Sequence, residues 1–154
     1  MAHIKLGLLH RRGVKNVGRL GGSQTERASF DFIIDGVSLY ELLDAQNWDL
    51  VGALGWLPAD ANSAHIDQLL LRADAPVPGG RRMVFICSEC GDIGCGAITC
   101  EIIRGGGKVT WQNFGFENNY DDAIDLEPFR DVGPFHFEWD EYCRVLEAAV
   151  SAAV

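Results

Sequence analysis

No apolar run in this chain approaches the roughly 20 residues that cross a bilayer, so the composition offers no membrane span. There is no internal repeat, no low-complexity tract, and no Gly-rich loop that opens a helix with a following Lys. Phosphate cradling therefore lacks support. The serines lack a nucleophile-elbow context, and the four histidines are scattered. Asp121, Asp122 and Asp125 are not followed by a twelve-residue calcium-loop pattern, so a solvated acidic loop is expected there. The opening MAHIKLGLLHRR has an apolar core too short for a secretory leader and lacks a small-residue cleavage site. A basic excess is missing too. The formal net charge is −9, the opposite of what a plain nucleic-acid binder needs to neutralise phosphates. These absences predict a soluble, cytoplasmic, non-enzymatic protein that binds neither membrane nor nucleic acid.

What is present suffices for one domain. A chain of 154 residues, 47% of them apolar, can build a core without disulfides. The five cysteines are an odd number, so complete internal pairing is impossible. In a reducing compartment free thiols or metal ligands are expected instead.

Charge is unevenly placed. Residues 1–27 carry Lys5, Arg11, Arg12, Lys15, Arg19 and Arg27 against Glu26 alone. This basic segment is expected to be partly mobile. Residues 117–147 carry ten acids against Arg130 and Arg144. Either the two ends neutralise each other, or an acidic surface is offered to a basic partner.

Residues 29–35, SFDFIID, alternate in polarity and predict a strand with one buried face, turned by Asp35-Gly36. Ser38 to Glu41 matches a capping box opening a short helix. A second helix is predicted after Asn62 or Ser63, with Ile66, Leu69, Leu70 and Ala73 on its apolar face. His65 is expected to be solvated in its first turn. Three strands follow with turn-sized gaps: RMVFICS, CGAITCEII and KVTWQNFGFE. No helix-length crossover separates them, so antiparallel pairing is expected. Trp111, Phe114 and Phe116 on the last of these strands are assigned to core and sheet surface, in preference to a stacking platform. The GPFHF stretch reads as extended and leads into a helix carrying Trp139, Tyr142, Cys143 and Leu146 inward. The pattern is α+β: a central antiparallel sheet with helices packed on one face, in a single domain spanning 1–154.

Four cysteines lie within Cys87 to Cys100. Cys87 and Cys90 have zinc-knuckle spacing and Cys95 follows, but no second paired knuckle exists. Cys95 and Cys100 are an odd number of residues apart and diverge on a strand. Thioredoxin-type activation needs a helix after the C-x-x-C pair, and a strand follows here. The favoured reading is architectural: glycines 91, 94 and 96 permit a tight turn, and the thiols act as small hydrophobes. A zinc-stabilised module or a thiol oxidoreductase using Cys87, Cys90 and Cys95 are the alternatives.

CGDIGCGAI at 90–98, KVTWQNF at 108–114 and GPFHFEWDEYCRVL at 133–146 resemble, in that order, a family of small bacterial proteins of largely undefined function. The family pattern has a C-G-x-x-G-C turn, a V-x-W-x-x-F strand and a G-P-F-x-F strand leading into a Tyr-bearing helix. Relatives place a cysteine two residues before the second; here that position is Ser88, and the thiol is at Cys87. Size, acidity and cytosolic character also resemble immunity proteins of bacterial toxin systems, including contact-dependent growth inhibition. That resemblance implies a protein that neutralises a basic, nuclease-type toxin domain without a cofactor. The contact candidates are Glu117, Asp121, Asp122, Asp125, Glu127 and Asp131.

Overall fold

The computed structural model describes residues 1–15, 23–90, 96–118 and 123–150. In chain order the elements are β1 (Ile4–Arg11), β2 (Val14–Lys15), β3 (Ser23–Gln24), β4 (Arg27–Ile34), β5 (Val37–Ser38), α1 (Leu39–Leu42), β6 (Leu50–Gly52), α2 (Ala59–Leu69), β7 (Arg82–Cys87), β8 (Ala97–Gly105), β9 (Lys108–Glu117), β10 (Phe135–Glu138) and α3 (Trp139–Glu147). Five strands form an antiparallel sheet in the order β10-β9-β8-β7-β6. A second antiparallel sheet has the order β1-β4-β5, and β2 pairs with β3. This is the expected α+β class.

Turn chemistry sets the register. Asp35-Gly36 and Gly106-Gly107 each hold two residues at positive φ, the two-residue hairpin geometry that matches strand twist. Between Thr99↔Gly115 and Glu101↔Gln112 the pairing slips by one residue, with Asn113 at φ +54°. That bulge on β9 lets Trp111 and Phe114, three apart, both point inward. Trp111 meets Phe32 edge-on at 5.1 Å and Tyr142 at 6.0 Å.

The two sheets curl around a main core, and Val51, Ala53, Met83, Ile86 and Ala97 pack as a second, smaller cluster. Ala2 N donates to His136 O at 2.8 Å, joining the chain start to β10. Phe30 N donates to Leu54 O at 3.0 Å, joining β4 to the segment after β6. α3 then closes the interior with Tyr142 and Leu146, and Ala149 in the turn after it is buried too.

Four expectations change. Residues 4–11 of the basic leader are strand β1, paired along its length with β4. β4 is covered on both faces, because Ser29 and Asp31 are buried along with Phe32 and Ile34. Their polarity is used internally: Ser29 Oγ accepts from Gly52 N at 3.0 Å, and Asp31 Oδ1 accepts from Phe32 N and Tyr40 N at 2.7 and 3.1 Å. α2 begins at Ala59, after Pro58, so Asn62 lies inside it. Asn62 Oδ1 accepts from Gly55 N and its Nδ2 donates to Ala149 O, which locks α2 to the turn that follows α3. His65 is buried on that same helix, not solvated. Where the capping box was expected, Ser38 Oγ accepts from Glu41 N at 3.1 Å. No described helix is long and apolar enough to cross a membrane.

Candidate functional site

The acidic segment is built on the end of β9. Phe116 and Asp125 exchange two backbone hydrogen bonds of 2.9 Å, which pins the chain where it returns from residues 117–124. Ile124 and Leu126 press on Gly115, where a Cβ would come within 2.6 Å of the Ile124 side chain. A short 3₁₀ turn, Glu127–Phe129, then buries Phe129 against Trp48 at 5.4 Å. With Phe129 buried and Ile124 half-buried, the segment turns Asp125, Glu127 and Asp131 to solvent alongside Leu126. Asp125 Oδ1 accepts from Glu127 N at 3.3 Å, and Glu127 pairs with Arg130 at 2.8 Å. Beside them lies a cleft of about 270 Å³ floored by Phe114, Phe129 and Val132.

Two candidates, Asp121 and Asp122, lie outside the described residues. Glu117 requires a correction: it is only 8% exposed and points inward, away from any partner. Its carboxylate accepts from Thr99 Oγ1 at 2.5 Å and faces Arg81 Nε at 3.4 Å. Arg81 is also buried, donating to Thr99 Oγ1, Thr99 O and Asn113 O. Sequence reasoning missed this pair. Arg81 and Arg82 adjoin, and nothing in their order says which one turns inward.

The leader meets the acidic stretch at its helical end, where His3 Nδ1 lies 3.1 Å from Glu141, but among the described residues none of its basic side chains pairs with Asp125 or Asp131. Arg11 pairs with Asp49 at 2.7 Å and with Glu89 at 3.2 Å. The Asp49 hydrogen bond holds the guanidinium charged, against the opposing effect of burial. Arg27 donates to Ser88 O at 2.9 Å, approaches Glu89 at 3.9 Å, and stacks 4.6 Å above Trp56. Both arginines thus clamp the Cys87–Cys90 turn onto β1 and β4. Among the described residues, Asp125 and Asp131 have no cation within 4 Å.

In that turn Cys90 N donates to Cys87 Sγ at 3.4 Å, with Cys87 half-buried and Cys90 exposed. Cys95 lies outside the described residues. Cys100 is fully buried, and that burial pushes its thiol far above the ordinary range. Cys143 is half-buried, less inward than expected, and its thiol is also raised by burial. Among the described residues, no three His, Cys, Asp or Glu side chains gather as a metal site would require. No family model, curated protein or solved structure matches this chain.

Proposed function

We propose that this chain is a non-enzymatic binding protein of the immunity type, which neutralises a basic nuclease-type toxin domain by covering its phosphate-binding surface. One observation carries the reading. The leader's Arg11 and Arg27 are committed to Asp49 and Glu89, while Asp125 and Asp131 stay exposed with no described cation beside them. Displayed negative charge draws a basic partner in and speeds encounter, and rapid capture suits an inhibitor. Asp121 and Asp122 add to the same segment in sequence. Glu127 contributes less, because Arg130 offsets it. Glu117 is withdrawn from the contact set.

The test is capture of basic nuclease toxin domains, with loss of their cleavage as the readout. Asp125→Asn with Asp131→Asn should weaken inhibition of whichever domain is bound. Equal inhibition by the variant and the parent protein would remove the acidic segment from the mechanism.

A further inference from the structure

We propose that the outer edge of β1 is a docking site for an extended partner segment in which apolar residues alternate with acidic ones. The hydrogen-bond pattern points to an added strand. Asp35 N donates to His3 O, which makes His3↔Asp35 a bonded pair in the β1–β4 register. Bonded and non-bonded pairs alternate in an antiparallel ladder. Lys5, Gly7, Leu9 and Arg11 therefore spend their backbone groups on β4, and Ile4, Leu6, Leu8 and His10 turn theirs outward. Ala2, in the same phase, already uses its outward N–H on His136 O. On β4 the equivalent outward group of Phe30 is taken by Leu54 O. Among the described residues, no backbone partner meets the outward groups of Leu6, Leu8 and His10. Eight residues without proline make this a long edge to leave unpaired.

Side chains beside the edge say what would sit there. Leu8 is 72% exposed, directly across from half-buried Phe30. Lys5, Leu6, Phe30, Val145, Ala148 and Ala149 line an apolar groove of about 440 Å³ between the strand and α3. Alternate side chains of an added strand would drop into that groove, as strand addition requires. The intervening side chains would face the β1 surface that carries Lys5, with exposed Arg12 beyond the strand's end. Acidic residues complement those charges. A second copy fits less well: antiparallel pairing centred on Leu8 sets Lys5 against Arg11.

A short peptide alternating valine and glutamate is the probe, compared with a scrambled peptide of equal composition and one alternating valine and lysine. The alternating acidic peptide should bind saturably and slow amide exchange at Leu6, Leu8 and His10. Leu8→Pro removes one outward N–H, which an edge tolerates, and should weaken binding about tenfold or more. Leu8→Lys keeps the backbone and should weaken it as well. Equal binding of the scrambled or basic peptide, or unchanged exchange at those three amides, overturns the proposal. Self-association that protects them without peptide assigns the edge to a second copy and overturns it too.

Discussion

Arg81 and Glu117 form an ion pair in the interior, Nε to Oε2 at 3.4 Å, with Thr99 Oγ1 accepting from one and donating to the other. The pair ties the start of β7 to the end of β9 across β8, at the base of the acidic segment. Removing one partner strands a buried charge, which costs about 3–5 kcal/mol. Glu117→Ala or Arg81→Ala should lower unfolding free energy by that order in urea titrations. The double variant should lose less than the two single losses combined. A cost below about 1 kcal/mol for either single change would mean the pair is wetter than its burial implies.

Asp31 is the second buried carboxylate. Burial raises its pKa, partly opposed by hydrogen bonds from Ser38 Oγ and the Tyr40 and Phe32 amides. A raised folded pKa means the native state holds its proton where the unfolded chain has already lost it. Stability linked to this group is therefore full below the unfolded value of 3.8 and falls as pH rises through the folded one. Asp31→Asn keeps an acceptor for the two amides and should flatten that part of the stability profile. Equal slopes for variant and parent above pH 3.8 would contradict the assignment.

Burial also sorts the thiols. Among the four described thiols, exposed Cys90 should react first with a thiol reagent, and Cys100 only on unfolding. Cys87→Ser with Cys90→Ser should change stability by less than about 1 kcal/mol, since a hydroxyl can accept from the residue 90 amide as the sulfur does. Unfolding of that variant, together with stoichiometric zinc in the parent protein, would replace an architectural turn with a metal site.

Tyr142 links three elements: its hydroxyl donates to Leu69 O on α2 and accepts from Trp111 Nε1 at 3.2 Å. Full burial pushes its pKa well up, so it stays neutral. Tyr142→Phe leaves both buried groups unpaired and should cost about 1–3 kcal/mol. A neutral effect in thermal or urea unfolding would show that water replaces the hydroxyl.

Much of the fold was legible because local chemistry agreed with it. Positive-φ residues sat at both hairpins, Ser38 capped its helix, and turn-sized gaps forced antiparallel strands. The misreadings share a cause: side chains whose partners are distant in sequence. Asn62 looks like a cap until Gly55 and Ala149 supply its bonds; Asp31 looks like an outward residue until Ser38 and Tyr40 fold over it. Glu117 is turned inward by Thr99 and by Arg81, 36 positions earlier, whereas Asp125 stays exposed. Within the acidic segment, sequence registers the charge but not which carboxylates are spent indoors.

Capture of a basic partner by the proposed surface rests on the carboxylates left outside. Association of a bound basic nuclease domain should be measured by stopped flow with the parent protein and with Asp121, Asp122, Asp125 and Asp131 all changed to Asn. Raising salt from about 50 to 500 mM shortens the screening length from roughly 14 to 4 Å. The parent's rate should fall steeply over that range, and the variant should start roughly tenfold slower with a shallower slope. Rates that match at both salt concentrations would contradict an acidic docking surface.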